Sequence, residues 1–241
     1  MNLIVLTLMG LLAGASTGVG GILGVLFKPS EKNLIPGLSF SGGIMLGVTF
    51  LMLIPESFKA GFFPSFIGFT LGSLLFFSLD FILPHTHIVE SRKSLLRLGT
   101  LIAVGIAIHD IPEGFAIGSG YGISENFGST IALAVVLHNL PEGMAIAIPF
   151  HFSGVGKSRT ILISFAAGIS TLVGTLAAFF FLSAFSVELV YASLAFAAGA
   201  MFYITVNELI PEAQKYGHNR LVGLGVLAGI LVAFLLTLIR P

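Results

Sequence analysis

The chain has 241 residues, 56% of them hydrophobic and 9% charged, with eleven basic and eleven acidic side chains balancing to a net charge of zero. That composition, with a mean hydropathy of +1.04, excludes a soluble globular domain, and the absence of basic stretches interleaved with aromatics argues against nucleic acid as a partner. No cysteine is present, so disulfides, thiolate metal sites and cysteine nucleophiles are excluded as well. Eight apolar runs follow in chain order: 3–27, 34–58, 62–83, 95–119, 128–150, 160–185, 189–210 and 221–239. About twenty apolar residues suffice to cross a bilayer as a helix, so the expected fold is an all-α integral membrane protein of eight transmembrane helices. The first run has no basic segment before it and is too long for a signal peptide's core, so it reads as a retained span. Short connections leave room for one domain only, over 1–241. The longest connection, 84–94, carries His85, His87, Glu90, Arg92 and Lys93. Glycines at helical spacing, such as Gly14-x-x-x-Gly18 and Gly20-x-x-x-Gly24, favour close helix contact.

Basic residues orient the spans. With eight crossings, both termini share one side with the second–third, fourth–fifth and sixth–seventh connections, and that side holds only Lys59 and Arg240. The other side holds Lys28, Lys32, Arg92, Lys93, Arg97, Lys157, Arg159, Lys215 and Arg220. Positive loops stay in the cytoplasm, so both termini are expected outside a cell membrane.

The sequence also repeats itself. Phe40–Glu56 matches Phe196–Glu212 at Phe40, Gly43, Met45, Thr49, Leu53, Ile54, Pro55 and Glu56. Ala13-Gly14-x-Ser16-Thr17-x-Val19-Gly20 matches Ala167-Gly168-x-Ser170-Thr171-x-Val173-Gly174. Spans four and five share a rarer phrase, His109-Asp110-Ile111-Pro112-Glu113-Gly114 and His138-Asn139-Leu140-Pro141-Glu142-Gly143. Span one thus resembles six, two resembles seven and four resembles five, each pair running in opposite directions. Such an inverted repeat is typical of secondary transporters whose site lies at mid-depth. The order reads as 3+2+3: repeat one about 1–94, a central pair about 95–150, and repeat two about 160–241.

The central phrase carries the chemistry. Each charged group near mid-membrane costs roughly 3 kcal/mol even on the cheaper insertion scale, so a function is the default expectation. On a helix His109 and Glu113 share a face, as do His138 and Glu142. With the two helices antiparallel, His109 is expected level with Glu142 and Glu113 level with His138. Two imidazoles and two carboxylates suit Zn²⁺, Fe²⁺ or Mn²⁺. Asp110 and Asn139 sit about 100° around their helices, placed to hold a second cation with Glu113 and Glu142 bridging. Pro112 and Pro141 withhold backbone donors and loosen each helix at its ligands. Weaker signals come from Glu56 and Glu212, mates near helix ends, and from Asn207 and Glu208 one turn deeper. These four, with the loop residues His85 and His87, are candidates for a metal path to and from the centre.

Taken together, His-Asp-x-Pro-Glu-Gly, His-Asn-x-Pro-Glu-Gly and the Leu-Ile-Pro-Glu of spans two and seven resemble the ZIP family of divalent-metal transporters, in its compact prokaryotic-type branch. The resemblance covers essentially the whole chain. It implies movement of Zn²⁺, or of related ions such as Fe²⁺, Mn²⁺ and Cd²⁺, toward the cytoplasm as cargo and with no cofactor. It also implies a two-metal site in spans four and five, an elevator-like motion of one helix group against the other, and a homodimer in the lipid bilayer. Within that resemblance His109, Glu113 and Glu142 are first-site ligands with His138 beside them, Asp110 and Asn139 flank the second site, and Asn207 and Glu208 lie near the cytoplasmic exit. Two positions depart from the family pattern: Asp110, where Asn is commoner, and Thr171, where a Glu is usual. Two other functions fit the same residues, an intramembrane di-metal hydrolase and a metal sensor or relic that moves nothing. The hydrolase lacks the His-Glu-x-x-His signature.

Overall fold

In hydrocarbon a chain must satisfy its own backbone, and long apolar sequence does so as helix. The computed structural model describes residues 2–27, 31–80, 92–182, 186–214 and 219–238, and among these every regular element is helical. In chain order they are α1 Leu3–Phe27, α2 Glu31–Val48, α3 Ile54–Ser57, α4 Phe62–Asp80, α5 Arg92–Ile123, α6 Glu125–Phe152, α7 Lys157–Leu182, α8 Val187–Ile204, α9 Ile210–Gln214 and α10 Asn219–Leu238. Among the described residues seven of the expected spans are long and apolar enough to cross a membrane, and Phe62–Ser78 supplies a shorter apolar helix for the third.

Local sequence explains the interruptions. α2 and α3 form one span joined by a widened π turn, Thr49–Leu53, and α8 and α9 are joined by its mate, Thr205–Leu209. Each turn stands just ahead of a proline, Pro55 or Pro211. Proline cannot donate to the carbonyl four residues back, and a π turn absorbs the mismatch. At the other end of the second span Gly61 takes φ +98°, a conformation that glycine adopts at no steric cost, and the chain reverses into α4. α6 begins where the Ser124 side chain accepts from Phe127 N at 3.1 Å, with Glu125 in the first turn. Both features stabilise a helix start, and they extend the helix three residues before the expected limit.

The helices pack as two sets. α1, α5, α6 and α7 contact one another, α5 most extensively against α7 and α1 against α6. α2 pairs with α10 and α4 with α8, and these two pairs meet the first set through α2 on α6 and α8 on α5. Each contact has a counterpart when α1 is exchanged with α7, α2 with α8, α4 with α10 and α5 with α6. The closest approaches are matched too. A Cβ at Gly14 would meet the carbonyl of Gly168, and one at Gly168 the carbonyl of Gly14. Likewise Gly114 lies against the carbonyl of Thr171, and Gly143 against that of Thr17. Only glycine lets backbones come this near.

The distribution of polarity is that of a membrane protein. Large apolar side chains such as Ile4, Phe63, Leu162, Phe180 and Leu238 face outward, while His109, Asp110, Glu113, His138, Asn139 and Glu142 are all buried.

Candidate metal centre

α5 and α6 run antiparallel and place their shared phrase at the same level. His109 Nε2 lies 3.3 Å from Glu142 Oε2, and His138 Nε2 lies 3.1 Å from Glu113 Oε2. Both helices continue through Pro112 and Pro141, so the i, i+4 spacing holds each His and Glu on one face. The glycine that closes each phrase allows the neighbouring helix, α7 or α1, to lie directly behind it.

The four side chains that converge most tightly are His109, Asp110, Glu113 and Glu142. One ligand atom from each lies within 4.8 Å of all the others. Tetrahedral ligands about 2.1 Å from a Zn²⁺ are roughly 3.4 Å apart, a spacing somewhat tighter than the 4.8 Å limit within which this group lies. Asp110, expected to one side, thus reaches into the group, with Oδ1 3.7 Å from His109 Nε2. His138 stands outside the four and meets Glu113. Glu113 therefore faces both the group and the second histidine.

Partners outside the phrase orient several of these atoms. Thr171 Oγ1 donates to Asp110 Oδ2 at 3.1 Å. Ser41 Oγ, reaching over from α2, lies 3.1 Å from Glu142 Oε1 and 2.7 Å from the carbonyl of His138. Asn139 Nδ2 donates to the carbonyl of Ala13 at 3.2 Å. His138 Nδ1 lies 2.9 Å from the Ala134 carbonyl. A carbonyl only accepts, so Nδ1 carries a proton and Nε2 is the ring nitrogen that faces Glu113.

What remains is a set of buried polar atoms with no hydrogen-bond partner among the described residues: His109 Nδ1, Asp110 Oδ1, both oxygens of Glu113, His138 Nε2 and Asn139 Oδ1. Glu113 Oε2 and His138 Nε2 are close without the alignment of a hydrogen bond. Buried polar groups are almost always paired, and leaving a carboxylate unpaired in a dry interior is expensive. The nitrogen and oxygen ligands gathered from His109, Asp110, Glu113 and Glu142 fit a divalent cation of the Zn²⁺, Fe²⁺ or Mn²⁺ kind.

The other candidates fall elsewhere. Glu56 is held by Lys59 at 2.6 Å, and the Lys59 Nζ lies 5.6 Å from the Tyr191 ring centroid. Glu212 is half-buried on α9, and Asn207 is exposed in the π turn before it. Among the described residues neither Glu56 nor Glu212 joins a cluster of metal-capable His, Asp or Glu side chains. His85, His87 and the side chain of Glu208 lie outside the described residues. Ser41 was not among the sequence candidates, and no sequence signal marks it, since Ala197 stands at the matching place in the repeat. Thr171 stood out only as the place of an absent carboxylate, not as a donor to Asp110.

Known proteins match this arrangement. The family model for ZIP zinc transporters covers residues 85–237, which include both halves of the centre. The chain is 37% identical to the zinc transporter ZupT of Chlorobium luteolum, over 93% of this chain and 94% of that protein. It is 36% identical to ZupT of Chlorobaculum parvum, over 92% of each, and 35% identical to ZupT of Escherichia coli strain E2348/69, over 93% of each. Members of this family are transport proteins, which sets aside the hydrolase expectation. The chain belongs to the ZIP zinc transporter family, and it is a multi-span membrane protein for the transport of divalent metal.

Proposed function

We propose that this protein carries Zn²⁺ toward the cytoplasm through the buried centre of α5 and α6. The observation that carries the reading is the meeting of two matched His/Glu sets around unpaired buried donors. His109, Asp110, Glu113 and Glu142 hold the first ion. Glu113 faces His138 as well, so a second cation would share it, with His138 and Asn139 on its far side. Thr171 donates to Asp110 and offers no charge of its own, so the second cation binds weakly or transiently. Weak binding there is compatible with transport, because an ion must leave as readily as it enters.

The direction rests on charge: nine basic residues on one side of the expected topology against two on the other support termini outside the cell membrane. The matched helix contacts support a 3+2+3 inverted repeat within one domain, a construction suited to alternating access around a fixed site. Family likeness supports a homodimer. Asn207, Glu208, Glu56, Glu212, His85 and His87 are proposed as stations on the way to and from the centre.

The test is metal flux into liposomes containing only this protein. Glu113→Ala, which deletes two ligand atoms, is expected to lower Zn²⁺ uptake by more than about a hundredfold, beyond the 10–100-fold typical for loss of an outer partner. Uptake within twofold of wild type would remove the assignment. No uptake by wild type would favour the sensor or relic.

A further inference from the structure

Within the centre one carboxylate differs from the others. Glu142 has Ser41 on its Oε1, and Asp110 has Thr171 on its Oδ2. Among the described residues no hydroxyl meets either oxygen of Glu113. The two hydroxyls come from different helices, α2 and α7, and neither helix contributes a titratable side chain to the group. In both cases one oxygen meets the hydroxyl and the other is the one that lies near His109. Asp110 Oδ1 is 3.7 Å, and Glu142 Oε2 is 3.3 Å, from the same atom, His109 Nε2.

We propose that Ser41 and Thr171 are positioning residues for the metal, each holding one oxygen of a buried carboxylate so that its other oxygen is presented to the ion. This rests on the metal reading above and adds two residues to it. A carboxylate on a free side chain must lose rotamer freedom to bind, and a group already held in place does not. Partners of this kind orient ligands in metal sites generally, and their loss typically costs 10–100-fold in affinity. Ser41 also meets the carbonyl of His138, four residues before Glu142. Its single hydroxyl hydrogen is shared between these two acceptors, so the hydroxyl that donates to Glu142 is itself fixed against the α6 backbone. The consequence is a division of labour. Asp110 and Glu142 form a fixed one-oxygen frame with His109, while Glu113 keeps both oxygens free and is the carboxylate able to follow a moving ion or bridge two.

Alternative uses of these hydroxyls are distinguishable. Ser193 supplies a comparable bond between helices, donating to Ser119 Oγ at 3.0 Å from α8 to α5, but it touches no carboxylate of the centre. It controls for general helix packing. The experiment measures Zn²⁺ affinity of the purified full chain by competition with a chromophoric chelator, alongside the metal-free Tm. Ser41→Ala and Thr171→Val are expected to weaken Zn²⁺ binding about tenfold or more. Thr171→Ser keeps the hydroxyl, and Ser193→Ala leaves the centre intact, so both are expected within twofold of wild type. Metal-free Tm should not follow the affinity losses. The proposal is overturned if Ser41→Ala and Thr171→Val bind within twofold of wild type, if Thr171→Ser is as weak as Thr171→Val, or if Ser193→Ala loses as much. Wild type failing to bind Zn²⁺ would overturn the metal reading and this proposal with it. Binding that is strong and indifferent to all four substitutions overturns the positioning role alone.

Discussion

α5 and α6 carry the same phrase in unlike surroundings. On α6, His138 is tied to the Ala134 carbonyl, Asn139 to the Ala13 carbonyl and Glu142 to Ser41. Within the α5 phrase, among the described residues, Asp110 has a partner outside the phrase, Thr171, while His109 Nδ1 and both Glu113 oxygens have none. Sequence repetition therefore sets where the polar groups meet, and unlike neighbours set how firmly each is held. One helix offers an anchored half and the other offers most of the free donor atoms. A site with one fixed and one adaptable half can bind an ion and still release it.

The comparison breaks most directly at the histidines. His109 lies inside the group of four, whereas His138 meets Glu113 from beyond it. His109→Ala is expected to weaken Zn²⁺ binding more than about a hundredfold, and His138→Ala only about tenfold, in the range of an outer partner. Isothermal titration of both variants checks this. Equal losses would mean that the two halves are equivalent after all.

Acid acts on both halves together. Bound metal requires unprotonated imidazole nitrogens and carboxylates, so protons compete with it. Affinity for Zn²⁺ is therefore expected to fall as pH drops from about 7.5 to 5, by about tenfold per pH unit for each proton displaced. Proton release during titration in two buffers of different ionisation enthalpy measures that number. Affinity that stays flat over this range would contradict a centre built from His109, Asp110, Glu113, His138 and Glu142.

The smallest effect concerns the backs of the two helices, where the halves are alike. Gly114 rests on the Thr171 carbonyl and Gly143 on the Thr17 carbonyl. An alanine at either overpacks a tight helix contact, which typically costs about 1–3 kcal/mol. Gly114→Ala and Gly143→Ala are expected to lower Tm by similar amounts. A loss confined to one of them would show that the likeness of the halves ends at the ligands.

Much of this could be read from sequence, for physical reasons. Length and hydropathy dictate helices in lipid, and the His/Glu spacing of four puts each pair on one face, so the level meeting of His109 with Glu142 and of His138 with Glu113 follows once the helices are antiparallel. The paired Pro55 and Pro211 foretell disturbed turns, though not that each is absorbed as a π turn one residue ahead. The entry of Asp110 into the group was not legible, because a position 100° around a helix says nothing of the Thr171 hydroxyl that pins its second oxygen. Ser41 was illegible for a related reason: a serine in an apolar helix looks the same whether it bonds its own backbone or a carboxylate on another helix. Tertiary contact decided both.

The central claim is that an ion sits among His109, Asp110, Glu113 and Glu142. Anomalous X-ray scattering at the zinc edge, from crystals grown with Zn²⁺, tests it most directly. The account predicts one strong peak about 2.0–2.2 Å from His109 Nε2 and from an oxygen of each of the three carboxylates, with any second peak weaker and on the Glu113–His138 side. A dominant peak elsewhere, with this group still empty in protein that transports Zn²⁺, would contradict it.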